Sequence, residues 1–193
     1  FSEISDQMSL KVGSGIHGAQ LFKQEILSGP MVGVEHSVRP QFTLVQTGDG
    51  TAINFNLSKK TDVSFGIFQD KEENNSAVGE KILQQTFISY APDDNFLLRF
   101  GFGSLTEKGS MLSSFSTGVL GTMTESESHF FSLGGKISLT DMWTAYVNFT
   151  ETWATLPNSN GFLDNWSKVQ ANSAAIGFSA KDIYRKSDSF GVS

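Results

Sequence analysis

The 193-residue chain carries a formal net charge of −6 and no cysteine, and 38% of it is hydrophobic. The acidic balance argues against a nucleic-acid partner, and the lack of cysteine excludes a disulfide framework and thiolate chemistry while fitting a bacterial envelope protein. No run approaches the roughly 18 apolar residues of a transmembrane helix; a β-barrel, whose strands need be apolar on one face only, requires none.

Residues 1–40 read as a linker or as first, irregular strands, and residues 41–193 as one antiparallel β-domain. The opening FSEISDQ has neither a basic region nor an apolar run, so the chain is expected to begin after processing or to be a piece of something longer. Met8, Leu10 and Val12 alternate, and GSGIHGAQ after them is loop-like. Leu21 to Leu27 suits a short helix or an irregular strand, and Val34 to Val38 an extended segment. Phe42 and Leu44 open a strand that Gly48-Asp49-Gly50 is expected to end as a turn. Ile53, Phe55 and Leu57 then share one face with Asn54 and Asn56 opposite, Ser58 to Thr61 turns, and Val63, Phe65 and Ile67 form the next strand. Residues 70–81 read as a polar loop.

Leu83 to Tyr90 is a strand of weaker alternation, followed by a turn over Ala91-Pro92-Asp93-Asp94-Asn95. Phe96, Leu98, Phe100 and Phe102 make a strong apolar face backed by Arg99. A long Ser/Thr/Gly-rich connection is expected from Thr106 to Ser128. The clearest feature follows. Phe131, Leu133, Ile137 and Leu139 alternate with Ser132, Gly134, Lys136 and Ser138, and after Thr140-Asp141-Met142 the residues Trp143, Ala145, Val147 and Phe149 alternate with Thr144, Asn148 and Thr150. Side chains on a strand point to opposite faces in turn, so this is a hairpin with one apolar and one polar face. Ala154 to Trp166 reads as a loop, Val169 to Ala180 as a strand, Lys181 to Asp188 as a turn, and Phe190 with Val192 as the start of another strand.

From residue 67 onward the expected connections alternate long and short, as do the extracellular loops and periplasmic turns of outer-membrane barrels. The fold class is therefore an all-β antiparallel meander of nine or ten strands, as an outer-membrane-type barrel, whole or with strands missing; the alternative is a soluble β-sandwich. In the barrel, Arg99, Lys136, Asn54, Asn56 and Asn148 point to the lumen, where charge is tolerated, and Phe100, Phe102, Leu133, Ile137, Val147 and Phe149 point to lipid. In the sandwich the apolar set would meet a second sheet across a dry core.

Other chemistry is sparse. His17, in Gly15-Ile16-His17-Gly18, has no nucleophile segment after it, and His36 and His129 are far apart in sequence, whereas a metal site needs clustered ligands. Asp93-Asp94 is explained by its turn, and Gly13-Ser14-Gly15 lacks the Lys-Ser/Thr of a phosphate loop. Asn56, Asn74, Asn148 and Asn165 begin Asn-x-Ser/Thr triplets, with Asn56 and Asn148 read as interior polar residues. The expectation is a protein without catalytic residues, metal or cofactor.

Three stretches carry a family resemblance: LTEKGSMLSSFSTGVLG (105–121), FFSLGGKISLTDMWTAYVNFTET (130–152) and NSAAIGFSAKDIYRKSDSFGVS (172–193). In order and spacing this half of the chain resembles the C-terminal β-domain of subtilisin-like (S8 family) serine-protease autotransporters. The resemblance implies a non-catalytic translocator or anchor in the bacterial outer membrane. Its partners would be outer-membrane lipid, an upstream protease passenger and the barrel-assembly machinery. The alternative is a soluble β-domain attached to such a protease, secreted or periplasmic, acting as a binding, chaperone or inhibitory module. The family continues past this point with further strands, so the resemblance also implies a fragment.

Overall fold

The computed structural model of the protein describes residues 2–5, 7–17, 21, 47–70, 79–112, 123–159, 168–182 and 189–192. Among them are ten strands: β1 (Ser2–Ser5), β2 (Met8–His17), β3 (Thr47–Ser58), β4 (Thr61–Asp70), β5 (Lys81–Asp93), β6 (Phe96–Lys108), β7 (Met123–Ser138), β8 (Trp143–Ser159), β9 (Lys168–Lys181) and β10 (Ser189–Val192). They form one sheet in sequence order, each strand antiparallel to the next. The fold is thus an all-β antiparallel meander. Among the described residues no pairing joins β1 to β10, so the sheet is not closed, and no second sheet faces it. Two sheets across a dry core, as in a sandwich, are therefore not what the described strands build.

Short links gather at one end of the sheet: 59–60, 94–95 and 139–142, with 6–7 and 182–188 beside them. The strand ends joined through 18–46, 71–80, 109–122 and 160–167 are at the other. The short links are made by small polar side chains that bond to the backbone just ahead of them. Asp93 Oδ1 accepts from the Asn95 and Phe96 N–H groups at 2.8 and 3.0 Å. Thr140 Oγ1 accepts from those of Met142 and Trp143 at 3.2 and 3.0 Å, and Ser58 Oγ from that of Lys60 at 3.1 Å.

Several expected loops belong to strands. Gly13 to His17 completes β2 instead of forming a loop, with a register shift between Gly13 and Ile16 where Gly15 takes φ 63°. Gly48-Asp49-Gly50 is no turn but lies inside β3, paired with Asp70, Gln69 and Phe68. Glycine is needed there for close approach: a Cβ on Gly50 would overlap the side chains of Leu21 and Phe68. The expected connection 106–128 shrinks to 109–122, because β6 runs on to Lys108 and β7 starts at Met123. Likewise β8 continues to Ser159, through nearly half of the expected loop from Ala154 to Trp166. Ala91 and Pro92 belong to β5, which leaves Asp94 and Asn95 as the link. The expected elements at 22–27, 34–38 and 42–44 lie outside the described residues.

The two faces of the sheet differ in exposure, which a flat bare sheet cannot produce. On one face Asn54, Ser64, Phe68, Leu83, Gln85, Phe87, Arg99, Leu105, Phe130, Ser132, Asn148 and Thr150 are all buried. The sheet curls toward this face, and Leu21 from the 18–46 connection packs into it with Ala52, Phe68, Leu83, Phe87, Leu105 and Phe130. The weak alternation of β5 has its cause here: Leu83 and Phe87 point inward while Gln84 lies exposed on the other side.

Candidate functional site

The outer face comes first, because its residues are ordinarily the ones a protein hides. In an antiparallel ladder directly paired residues share a face. Following the pairs outward from β6, Phe102 lies beside Phe131 and Thr86, Phe100 beside Leu133 and Ile88, Leu98 beside Gly135 and Tyr90, and Phe96 beside Ile137. β8 extends these rows with Phe149, Val147 and Ala145, and β9 with Ala174, Ile176 and Phe178. On the other side, Phe65, Val63, Ile53 and Phe55 continue them through β4 and β3.

The result is a continuous apolar belt facing away from the protein. Phe102 and Val147 are each 51% exposed, Ile137 44% and Phe100 39%; Phe149 is also exposed and Leu133 half-buried. Phe100, Phe102, Leu133, Ile137, Val147 and Phe149 thus share one side of the sheet, and nothing among the described residues covers them. On β7 the belt runs from Phe131 to Ile137, about 20 Å along the strand at about 3.3 Å per residue, and exposed Leu139 follows it in the link.

Both borders of the belt are marked. Toward the short links it ends with exposed Tyr90 and Trp143. Toward the long links the same outer face turns polar: Ser104 lies beside His129 and Gln84, and Thr106 beside Glu127. His129 Nε2 is 3.7 Å from Glu127 Oε1, both half exposed. Lys108, one pair further on, binds Glu80 at 2.7 Å. The hydrogen bond to Glu80, then the charge of that carboxylate, raises the Lys108 pKa above its ordinary value.

The inner face carries the polar candidates. Arg99 is only 6% exposed; its Nε donates to Ser89 Oγ at 3.1 Å and its guanidinium lies 5.2 Å from the centre of the Phe87 ring. Asn54 Oδ1 accepts from Ser64 Oγ at 2.6 Å, and Asn148 is buried in the row of Arg99, across Gly134. Lys136 is half-buried, paired with Tyr146 and with Leu97. Asn56 departs from the group: it is exposed close to the 59–60 link.

One inner cluster escaped the reading of the sequence. Asp70, Lys81, Glu107 and Ser126 are successive cross-strand partners on β4, β5, β6 and β7, and all four are buried. Glu107 is 0% exposed; its carboxylate accepts from Ser110 Oγ at 3.0 Å and from the Leu112 N–H at 2.5 Å. Ser126 Oγ donates to the Ser110 carbonyl at 2.7 Å. Glu107 thereby anchors the exit from β6, where Gly109 and Leu112 take φ 76° and 48°. The signal was parity: Glu107 follows Arg99 and Leu105 at even spacing, which points it inward once β6 is allowed to run past Gly103.

Among the described residues, the side chains of this face are buried over its middle. Arrangements of this kind hold neighbouring strands together. Comparison with protein-family models, with curated proteins and with solved structures found no match.

Proposed function

We propose that the chain is the β-domain of an outer-membrane anchor of the autotransporter type, without catalytic activity of its own. The observation that carries the reading is the belt: ordered rows of Phe, Ile, Leu and Val exposed on the outside, with polar and charged residues enclosed. In water this inverts the usual economy of burial. In a membrane it is the arrangement expected of strands that meet hydrocarbon on one face. The belt's aromatic border at the short-link end, with Tyr90 and Trp143, fits the headgroup level. Short links would then lie on the periplasmic side and long ones outside the cell.

The partners are membrane lipid for the belt and, from the resemblance to subtilisin-like autotransporters, an upstream protease passenger and the barrel-assembly machinery. Of the two roles the resemblance suggests, the filled inner face supports anchoring better than passage. A polypeptide needs a wide wet channel, and Arg99, Gln85, Glu107 and Thr150 are packed away from solvent. The soluble alternative would leave the whole belt in water, and no observation favours it.

The test is reconstitution into vesicles of brominated and unbrominated phospholipid. The expected outcome is fluorescence quenching by the brominated lipid, with exposed Trp143 contributing, and an unheated gel band that shifts on boiling. A chain that stays monodisperse without detergent and is not quenched would overturn the reading.

A further inference from the structure

At the short-link end the inner face opens into a cavity of about 550 Å³, within the roughly 300–1,000 Å³ of small-ligand sites. Its lining includes Lys136, Tyr146, Ser179 and Lys181, with Asp94 and Asp141. The more buried of these, Lys136, Tyr146 and Ser179, carry donors. Lys136 and Tyr146 are direct cross-strand partners and both half-buried, so the ammonium and the phenol belong to one wall. Tyr146 Oη accepts from Ser179 Oγ at 3.3 Å, which leaves its own O–H to be donated. Neither Lys136 nor Lys181 takes part in an ion pair among the described residues. The two aspartates are exposed, on the 94–95 and 139–142 links.

The walls are fixed before any ligand arrives. The Ser138 N–H donates to the Asn95 carbonyl at 2.7 Å, which ties one link to β7, and the Lys181 N–H donates to the Met142 carbonyl at 3.0 Å, which ties the other to β9. Such a site keeps its shape at little entropic cost on binding.

We propose that this cavity binds the C-terminal carboxylate of a peptide. An ammonium and a phenolic O–H on one wall suit the two oxygens of a carboxylate, each taking one charge-assisted or neutral donor. The volume exceeds what a bare ion needs, and the exposed acids favour a ligand that carries amide N–H groups or positive charge away from that carboxylate. The ligand is a free short peptide or the tail of a longer chain, since both present the same group. The proposal stands apart from the membrane reading, because it needs only the cavity and its hydrogen-bonded walls.

Titration of the folded full chain with tri-alanine and with tri-alanine amide tests it, followed by calorimetry in detergent or in buffer, whichever keeps the chain monodisperse. Saturable binding of the free acid is expected, weakened at least about tenfold in the amide, the size of one lost charged hydrogen bond. Lys136→Met, which keeps the stem, and Tyr146→Phe should each weaken the acid similarly and leave the amide unchanged; Lys60→Gln, outside the cavity, should alter neither. Fusion of Ala-Ala-Ala to the C-terminus of an unrelated soluble protein separates the two sources: equal affinity means a tail suffices, and loss means a free peptide is required. Absence of saturable binding, or equal affinity for acid and amide in the unmutated chain, overturns the proposal without need of any variant.

Discussion

Along β6 the two faces of one strand divide the protein's chemistry. Phe96, Leu98, Phe100 and Phe102 look outward, the last two exposed and the first two half-buried, while Leu97, Arg99, Gly101 and Leu105 look inward and are buried. The alternation is the same that a soluble sheet would show; only the environment of each face is exchanged. What the contrast teaches is that period-two patterning names two faces without saying which one meets the solvent. That depends on curvature: the sheet bends around the face that holds Arg99 and Glu107 together with the Leu83, Phe87 and Phe130 cluster, and the rows of Phe100, Phe102, Ile137 and Val147 are left on the convex surface.

The largest effect should come from placing a charge in the middle of the belt. Phe100→Lys is expected to destabilise the lipid-embedded chain by about 2–4 kcal/mol, the cost of a lysine near the midplane, while Ser104→Lys, just above the border, should cost little. Chemical unfolding from vesicles reads the difference. Equal effects at the two sites would mean that the outer face is not in hydrocarbon, and the contrast between faces would lose its meaning.

On the inner face the corresponding change is Glu107→Ala. It removes the acceptor of Ser110 Oγ and of the Leu112 N–H and leaves Lys81, its buried cross-strand partner, without that carboxylate. The expected loss is about 2–3 kcal/mol, from stranded buried donors. Protease cutting between residues 109 and 122 should rise with it. A neutral result would mean that the enclosed polar row is filling, not structure.

The smallest effect belongs to the outer face beyond the belt. Lys108 and Glu80 form an exposed pair there, and Lys108 has a raised pKa through its hydrogen bond to that carboxylate and then its charge. A lysine whose folded pKa exceeds its unfolded one contributes fully below the unfolded value, ordinarily about 10.4, and loses that contribution as the pH rises through the folded value. Lys108→Met should therefore be slightly less stable than the parent at pH 8, with the gap closing above pH ~10.4 and shrinking in high salt. A gap that persists at high pH would point to lost packing of the lysine stem.

The sequence by itself determined the strands that cross the belt and the face each residue takes. The hairpin of β7 and β8 is the clearest case, because Phe131 to Phe149 alternates, Gly135 and Tyr146 apart, around a Thr140 turn that caps itself. Arg99 and Lys136 were assigned to the polar face on the same ground, and the ladder places them there. Strand length was hidden for a physical reason. Over residues 124–129 β7 is polar at every position, so Ser126, Glu127 and Ser128 carry no alternation and read as loop. Gly48-Asp49-Gly50 misled in the same way, since close approach to Leu21 and Phe68 imitates a turn in composition.

Only the tertiary structure decided what each face meets. The burial of Glu107 beside Lys81, the stacking of Arg99 on Phe87 and the cavity floored by Lys136 and Tyr146 all join residues from different strands. Local periodicity cannot encode them, because they depend on register between strands and on the direction in which the whole sheet bends. Both are settled by long-range pairing, where one residue of slip would exchange exposed phenylalanine for enclosed arginine.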